Sequence, residues 1–282
     1  MSFVILSERK VGPKLLGIFT EGHIEEFFEA KTLQPQDLCL SKISFKIAKS
    51  LARFHAIDMP LERTPSVFNT LRSWYSSARL VLENGSEYYR ENRLTLVEYE
   101  KELQQLDLMK EIDFKQEVEF LVEKILSLAE TPVKFCHNDV NAGNVLCLED
   151  GSLQLIDFEY SAYNHVGFEF ANHFCERIFD YSGIQEYPFF RVMLENFPDL
   201  AEQRTFLEAY LSDVPSDAEP DVRVYLAETN RFVLVCHMLW ALWSIIQFDC
   251  STIVFPYLKY ASIRLDMYFQ AKEQLDSLLA RI

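Results

Sequence analysis

The sequence predicts an α+β fold that is mainly helical and carries a few short strands. Strands are indicated by residues 135–164, which have the pattern of a strand, a polar loop and a hairpin. They are also indicated by residues 14–28, in which apolar and polar residues alternate on either side of a turn at 20–22. Helices are indicated by long segments in which apolar residues recur every three or four positions. Because the strand pair of 14–28 is too short to be stable alone, we expect it either to pack on the following helices or to belong to a sheet that continues before Met1.

Helical periodicity accounts for most of the remaining chain. In residues 42–56, for example, Ile47 and Leu51 share one face with further apolar residues. A helix stop is predicted at residues 83–85, and a surface loop is predicted at 212–221, which contains two prolines. The predicted helices are, in chain order, residues 2–9, 42–56, 67–83, 95–129, 168–179, 188–194, 221–248 and 256–281.

The composition restricts the partners of the protein. Its 282 residues carry a formal net charge of −16, which disfavours a general nucleic-acid surface and an anionic membrane surface, because both are negatively charged. A cationic small molecule is compatible with this charge, although most of the carboxylates are expected simply to solvate the surface. The 49% hydrophobic and 14% aromatic residues are sufficient for a sizeable core.

Cysteine usage and hydropathy predict a cytoplasmic protein without stable membrane insertion. The six cysteines lie in apolar surroundings without a Cys-x-x-Cys pair, so we interpret them as reduced core residues rather than disulfides or zinc ligands. The N-terminus lacks a basic region followed by a long apolar core, which disfavours a signal peptide. The longest apolar run, 232–248, is interrupted by polar residues and is shorter than a membrane span of ~20 residues, so we interpret it as a buried helix.

The central segment 135–164 carries the residues with recognisable chemistry. Its polar loop contains His137, Asp139 and Asn144, and the strand after the hairpin ends at Asp157. The order His-x-Asp, four residues, Asn, and then Ile-Asp-Phe is the order used by phosphotransferases of the protein-kinase type.

In that chemistry Asp139 accepts the proton of a substrate hydroxyl as the hydroxyl attacks the terminal phosphoryl group of ATP. Asn144 and Asp157 supply hard oxygen ligands for Mg²⁺, which offsets the charge of the phosphates. We interpret His137 as an organiser of the loop, because Asp139 already fills the role of base, and His55 as a satisfied buried histidine rather than a ligand. A simple turn-capping role for the aspartates is disfavoured by the correct order of all four loop positions.

Two features distinguish this chain from a protein kinase. Asp157, Phe158 and Glu159 stand where protein kinases have Asp-Phe-Gly, and the sequence contains no Ala-Pro-Glu segment. A small-molecule kinase of the same fold is therefore favoured.

Several long motifs resemble the choline/ethanolamine kinase family. They are HNDVNAGNVL at 137–146, LIDFEYSAYNHVGFEFANHFCE at 155–176, LWALWSIIQ at 239–247, FVILSERKVGPKLLGIF at 3–19 and IAKSLARFHAIDMP at 47–60. The likeness covers nearly the whole chain, and the motifs occur together and in order. It implies the protein-kinase-like fold of aminoglycoside phosphotransferases and choline kinases, with a small N-terminal lobe and a large, mainly helical C-terminal lobe.

The resemblance also implies a function and a set of site residues. Asp139 would be the catalytic base, and Asn144 and Asp157 would bind the magnesium of Mg-ATP. The enzyme would be cytosolic and often dimeric, with itself or a relative, and would make phosphocholine from choline and ATP as the first step toward phosphatidylcholine. The choline pocket of the family maps onto Tyr160, Glu176, Tyr181, Trp240, Trp243, Tyr257 and Tyr260.

The residue types of this pocket suit a quaternary ammonium ion. Such a cation has no hydrogen-bond donor and is best held by aromatic faces, each contributing roughly 0.5–2 kcal/mol. Trp240 and Trp243 are three residues apart and share one helix face, and Tyr257 and Tyr260 repeat that spacing on the next helix. A carboxylate such as Glu176 would add long-range attraction. Taken without the family, an aromatic pair at helical spacing is also typical of an ordinary core.

The chain departs from the family pattern at its front. The family carries a longer N-terminal lobe with a nucleotide-covering loop, whereas we expect residues 1–31 to be a remnant of that lobe, with Glu8 near the position of a phosphate-anchoring glutamate. Residues 32–282 would form the helical lobe with the catalytic hairpin and the choline pocket. A smaller departure is Glu169, which stands where the family commonly has Asp.

Three functional hypotheses follow from these observations. The first is an ATP-dependent choline kinase, with ethanolamine kinase as the variant in which the substrate is a primary ammonium. The second is a catalytically impaired family member that acts as a dimerisation or regulatory partner. The third is an aminoglycoside phosphotransferase, which the Trp-x-x-Trp helix disfavours because polycationic sugars are better bound by carboxylates.

Overall fold

The computed structural model describes residues 2–20, 22–92, 97–184, 186–215 and 220–282. Contacts divide the chain into two compact units. The first unit comprises Met1–Pro65, Glu130–Asp180 and Val192–Leu226, and the second comprises Ser66–Ala129, Tyr181–Arg191 and Ala227–Ile282. The expected boundary between residues 1–31 and 32–282 stays a prediction.

The described residues form helices and short strands. The α-helices are α1 (Ser2–Glu8), α2 (Pro35–Leu38), α3 (Ser41–His55), α4 (Ser66–Asn92), α5 (Val97–Met109), α6 (Phe114–Phe120), α7 (Val166–Glu176), α8 (Leu200–Leu211), α9 (Val222–Cys250) and α10 (Tyr257–Leu279). The strands are β1 (Leu15–Phe19), β2 (Gly22–Glu25), β3 (Lys31–Thr32), β4 (Val133–Cys136), β5 (Val145–Cys147), β6 (Leu153–Leu155), β7 (Ala162–His165), β8 (Phe179–Asp180) and β9 (Arg191–Val192).

Antiparallel pairs of strands position the central segment of the first unit. β4 pairs with β7, with Val133 opposite His165. β3, β5 and β6 form a three-stranded sheet in which β5 and β6 are a hairpin, with Val145 opposite Leu155. A 3₁₀ turn at Ala142–Asn144 leads directly into β5. The polar loop predicted from the sequence therefore lies between β4 and β5, as expected.

Helix α3 supplies much of the core of the first unit. It packs against α8 and against strands β4 and β6, with Leu51 and Phe54 fully buried. The ring of Phe54 stacks on Phe158 with ring centroids 5.7 Å apart and an interplanar angle of 6°, and on Phe135 with centroids 5.5 Å apart. Because Phe158 follows Asp157 directly, this stacking fixes the backbone beside a predicted site residue.

The predicted hairpin near the N-terminus is present in the first unit. β1 and β2 pair antiparallel, with Phe19 opposite Gly22. Helix α1 packs against β1. Position 21 of the predicted turn lies outside the described residues.

The second unit is built mainly of helices. α5 packs against α4 and α10, and α4 packs against α6. Among the described residues, α9 is long and apolar enough to cross a membrane, but 78% of its most apolar window is buried within the protein. This degree of burial is what a core helix of a folded domain shows, and the length and composition of one helix are weak grounds for a membrane span.

Some element boundaries differ from the prediction. Residues 66–92 form one helical segment rather than stopping at 83–85, although Gly85 interrupts the helical backbone with a φ of 71°. Residues 188–193 are not helical, because Phe189 has a positive φ of 61° and a short strand follows, and a 3₁₀ helix begins only at Leu194. The segment predicted as 95–129 breaks at 110–113, and Asp113 caps the helix that restarts there by accepting from the Gln116 amide at 3.0 Å. Positions 95–96, and 216–219 of the predicted loop, lie outside the described residues.

Helix α8 was not predicted, although the sequence carries its start signal. Asp199 accepts from the Ala201 and Glu202 amides at 2.9 Å, and the Glu202 carboxylate accepts from the Asp199 amide at 3.1 Å. This reciprocal pair is a capping box, for which an Asp followed three positions later by a Glu is the sequence signature.

Helix α7 contains a buried histidine that makes the stability of the first unit dependent on pH. His173 is fully buried, and its Nδ1 donates a hydrogen bond to the Val140 carbonyl at 3.0 Å. Burial lowers the pKa of His173 from 6.5 to about 4. Because the unfolded chain takes up the proton near pH 6.5 and the folded chain only near pH 4, protonation favours the unfolded state in that window.

We therefore predict that the free energy of unfolding falls as the pH decreases from about 6.5 to about 4, with His173 contributing up to about 3 kcal/mol of the fall. His173→Asn provides the matched control, because its amide can donate to the same carbonyl and does not titrate. Urea denaturation of both proteins across this pH range measures the effect. An identical pH dependence in the variant and the original chain would contradict the assignment.

Candidate functional site

The loop between β4 and β5 holds a carboxylate between amide groups. The Asn144 side-chain amide nitrogen donates to Asp139 Oδ2 at 3.0 Å and to the Asp139 backbone oxygen at 2.9 Å. Asn141 donates to the other carboxylate oxygen, Oδ1, at 3.1 Å. Asp139 and Asn144, which the sequence assigned to catalysis and metal binding, are therefore in direct contact, and the orientation of the carboxylate is fixed from both sides.

Asp157 lies beside this loop, just after β6. The Ile156 amide donates to the Asn144 backbone oxygen at 3.0 Å, which joins the two segments. Asp157 itself has an exposed side chain and a positive φ of 63°, a backbone region that non-glycine residues enter infrequently. A non-glycine residue held in this region next to a functional loop is typical of sites where the surrounding structure dictates the direction of a side chain.

Several acidic groups surround Asp139. Burial raises the pKa of Asp139 well above its usual range, and the negative charges of Glu176, Asp157 and Glu169 add to this effect. Glu176, at the C-terminal end of α7, is 5% exposed. The cluster therefore has an excess of negative charge that a bound cation would offset.

A fully buried carboxylate of α7 holds the start of the loop. Glu169 Oε2 accepts from the His137 amide at 2.6 Å, and Oε1 accepts from the Asn138 amide at 2.9 Å. His55 Nε2 lies 3.3 Å from Oε2, and its Nδ1 is 2.9 Å from the Tyr210 hydroxyl. Burial alone would raise the pKa of Glu169, but the hydrogen bonds from His55 and from the His137 backbone lower the pKa overall. The interpretation of His55 as a satisfied buried histidine is confirmed.

Asn138 links the loop to the strand and helix beneath it. It has a positive φ of 65°. Its side-chain nitrogen donates to the Tyr160 carbonyl at 2.9 Å, its side-chain oxygen accepts from Asn164 at 3.2 Å, and its backbone oxygen accepts from Asn172 at 3.2 Å. Tyr160, a predicted substrate residue, is thereby tied through its backbone to the residue before Asp139.

His137 has the structural role predicted for it. Its Nε2 donates to the Ile156 carbonyl at 2.9 Å, which joins the loop to the end of β6. Burial lowers the pKa of His137, so the ring stays neutral, although the charge of Glu169 opposes this effect.

Sequence reasoning did not identify the framework that holds the loop, namely Asn138, Asn164, Asn172 and His55 with Glu169. The sequence does contain a sign of this framework, because Glu169 and Asn172 are polar residues within the apolar segment 166–175. Buried polar side chains are normally hydrogen-bonded, so such residues predict a buried polar network.

His55, Cys136 and Glu169 have the spacing of a metal site, because one ligand atom of each lies within 4.8 Å of the others. The carboxylate oxygens are already engaged by two backbone amides. Burial raises the pKa of the Cys136 thiol well above its usual range, so the thiolate that metals bind is disfavoured. We interpret the cluster as a hydrogen-bonded core of the first unit.

The second unit brings the other five predicted substrate residues into an aromatic cluster. The ring centroids of Trp240 and Trp243 are 5.5 Å apart, and those of Trp243 and Tyr257 are 6.0 Å apart. Tyr181 and Tyr260 lie 6.3 Å apart, with the Tyr181 hydroxyl donating to that of Tyr260 at 3.2 Å. Tyr181 is 42% exposed, whereas the other two tyrosines and Trp240 are buried.

Three further aromatic residues belong to this cluster. Trp74 of α4 lies 6.1 Å from Trp240, and Phe255 lies 5.0 Å from Tyr257 and 5.8 Å from Tyr260. Phe190 lies 5.7 Å from both Phe255 and Tyr260. Helical spacing could not reveal Phe190 and Phe255, because both lie in loops.

One protein cation already contacts this cluster. Arg264, which is fully buried, donates through Nη2 to the Tyr260 hydroxyl at 2.6 Å and lies 5.0 Å from the centre of the same ring. The hydroxyl of Tyr260 is therefore fixed by two donors, Arg264 and Tyr181.

Comparison with known proteins places this chain in one family. A family model described as choline/ethanolamine kinase matches residues 1–269. Choline kinase alpha of Mus musculus is 38% identical over 288 residues, which covers 97% of this chain and 60% of the mouse protein. The chain therefore spans less than two thirds of the length of that relative.

Solved structures give the same result. A choline kinase from Cryptosporidium parvum Iowa II superposes with a TM-score of 0.73 at 26% identity, covering 98% of this chain and 77% of the other. An ethanolamine kinase from Plasmodium vivax superposes with a TM-score of 0.73 at 25% identity, covering 95% of this chain and 71% of the other. The predicted α+β fold of the choline kinase type is confirmed, and the chain belongs to the choline/ethanolamine kinase family.

Proposed function

We propose that this protein transfers the γ-phosphoryl group of ATP to the hydroxyl group of choline, giving phosphocholine and ADP, the first step toward phosphatidylcholine. The observation that supports this most directly is the Asp139 carboxylate, oriented by Asn141 and Asn144 within a group of acidic side chains. The family to which the chain belongs gives this loop its chemical context.

Asp139 is the general base of the proposed reaction. Each oxygen of its carboxylate accepts one amide hydrogen bond, and a carboxylate oxygen can accept a second. The choline hydroxyl donates its proton to Asp139 while its oxygen forms a bond to the γ-phosphorus, and the bond from that phosphorus to the β–γ bridging oxygen breaks to release ADP. Fixing the carboxylate beforehand removes an orientational cost from this step.

The residues beside Asp139 fit a magnesium ion. The side-chain nitrogen of Asn144 faces Asp139, so the carbonyl oxygen of the same amide group is directed away from that carboxylate. Asp157 offers an exposed carboxylate after β6. Amide and carboxylate oxygens are the hard ligands that Mg²⁺ prefers, and when bound the ion offsets negative charge on the phosphates of ATP.

The aromatic cluster of the second unit is the proposed site for the trimethylammonium group. Trp240, Trp243, Tyr181, Tyr257 and Tyr260 offer ring faces without needing a hydrogen-bond donor on the ligand, at roughly 0.5–2 kcal/mol for each contact. Glu176 and Tyr160, which the family resemblance also assigns to the choline pocket, stay part of the proposal, with Glu176 attracting the cation through its negative charge.

Ethanolamine is the second candidate substrate, because the family and one of its structural neighbours carry that name. The aromatic character of the cluster favours choline, since a primary ammonium would need hydrogen-bond acceptors in place of ring faces.

We propose that residues 1–31 belong to the nucleotide lobe and that residues 32–282 form the lobe that carries Asp139. We further propose that the protein acts in the cytoplasm and associates as a dimer with itself or with a relative.

The direct test is turnover of choline with Mg-ATP. Asp139→Asn keeps the shape of the side chain but removes the base, so we expect phosphocholine formation to fall by about 10²-fold or more. Asp150→Asn is a matched control, because Asp150 is an exposed turn residue of the same hairpin that accepts from Ser152 at 2.6 Å, and it should keep full activity. Absence of turnover in the unsubstituted chain would contradict the proposal and favour the role of an impaired regulatory partner.

Substrate choice is tested by Trp243→Ala. Losing this ring face should raise the KM for choline by about 2–30-fold, as expected for roughly 0.5–2 kcal/mol, and should raise the KM for ethanolamine less. Trp243→Phe, which keeps a smaller aromatic face, should give an intermediate KM. Equal losses for choline and ethanolamine, or no loss for either, would argue against a cation–π role for Trp243.

A further inference from the structure

Glu102 of α5 is a buried carboxylate to which the proposed reaction gives no role. It is 5% exposed. Its Oε2 accepts from the backbone amides of Leu258 at 2.6 Å and Lys259 at 3.2 Å, and its Oε1 accepts from the Tyr187 hydroxyl at 2.7 Å. A buried carboxylate with three donors is a fixed element of the structure rather than a solvating surface charge.

The two backbone amides lie in the first turn of α10. This helix begins at Tyr257 after Pro256, and Pro256 makes no side-chain cap. The first amides of a helix have no partner within the helix, and they carry the positive end of its dipole. A carboxylate from α5 therefore supplies the cap that α10 lacks in its own sequence, whereas α8 is capped by its own Asp199.

The turn that Glu102 caps carries two residues of the aromatic cluster. Tyr257 and Tyr260 flank the capped residues Leu258 and Lys259 in the sequence. The Tyr257 carbonyl also accepts from Ser244 Oγ of α9 at 2.6 Å. The placement of both tyrosine rings therefore depends on how the first turn of α10 is held against α5 and α9.

We infer that Glu102 is a positioning residue for cation binding, which sets the affinity of the aromatic cluster by fixing the first turn of α10 without touching the substrate. This inference rests on the proposed function, because it assigns the cluster to the quaternary ammonium group. Loss of the carboxylate leaves the buried amide of Leu258 and the part-buried amide of Lys259 without their acceptor, and the first turn can relieve this only by moving or by fraying toward water.

The same helix offers a matched control. Glu117 of α6 is a second carboxylate that contacts α10; it is half-buried and accepts from the Tyr268 hydroxyl and from Lys272 Nζ, the latter at 2.5 Å. These contacts lie farther along α10, beyond the turn with the two tyrosines. A purely structural role for both glutamates would give similar losses of stability and no difference in ligand affinity.

Tryptophan fluorescence reports on this cluster directly. The chain has three tryptophans, Trp74, Trp240 and Trp243, and all of them belong to the aromatic cluster. Titration with choline, and with tetramethylammonium as the bare cation, therefore measures binding without requiring turnover. Steady-state kinetics on the same proteins then separates the KM for choline from kcat.

We expect Glu102→Ala to weaken binding of both cations by about fivefold or more and to raise the KM for choline in parallel, while kcat and the KM for ATP change by less than about twofold. Glu117→Ala should bind both cations within about twofold of the original chain. Glu102→Gln is the more conservative change because it keeps one acceptor oxygen. We expect this variant to fold and to bind both cations with intermediate affinity, so it tests the inference if the alanine variant does not fold.

Unchanged cation affinity in a folded Glu102 variant would overturn the inference and leave the proposed function intact. An equal loss of cation affinity in Glu117→Ala would do the same. A fluorescence signal that fails to respond to either cation in the original chain would overturn the proposed cation site and the inference with it.

Discussion

The loop that carries Asp139 depends on one buried carboxylate. Glu169 lies in an apolar helix, fully buried, and its two oxygens accept from the backbone amides of His137 and Asn138, directly before Asp139. A buried charge is tolerated only when it is paired and hydrogen-bonded, and here the partners are the backbone of the loop and the ring of His55. The position of Asp139 follows from this interaction, because the preceding residues have little freedom once their amides are engaged.

In each unit a glutamate side chain accepts hydrogen bonds from backbone amides next to residues that are assigned to binding or chemistry. In the first unit Glu169 of α7 holds the start of a loop that carries a carboxylate and an amide. In the second unit Glu102 of α5 holds the start of α10, which carries two tyrosines of the aromatic cluster. In both cases a charged acceptor satisfies backbone donors that regular secondary structure leaves unpaired, so rigidity is concentrated at residues assigned to binding or chemistry.

The sequence predicted the parts of this arrangement that are local. The order of Asp139, Asn144 and Asp157 predicted a loop and a hairpin, and the spacing of Trp240 and Trp243 predicted a shared helix face, because both patterns involve neighbours within one element. The contacts that hold these residues could not be predicted in the same way. His55 and Glu169 are 114 positions apart, and Glu102 and Leu258 are 156 apart, so their pairing depends on tertiary structure.

The wrong helix prediction at 188–194 also arose because a local pattern does not show tertiary contacts. The helical pattern at 188–194 came from apolar residues that instead pack in loops, as Phe190 does against Phe255 with centroids 5.7 Å apart. Periodicity cannot separate these cases, because an aromatic residue contributes equally to a helix face and to a buried loop.

The most direct test of this account is amide hydrogen exchange of His137 and Asn138. If Glu169 holds the loop, both amides should be strongly protected, and Glu169→Gln, which has one acceptor oxygen instead of two, should speed the exchange of at least one of them by about tenfold. Glu159→Gln, an exposed acid in the same segment, should leave both rates unchanged. Equal exchange rates for these two amides in all three proteins would contradict the claim that Glu169 fixes the loop that carries Asp139.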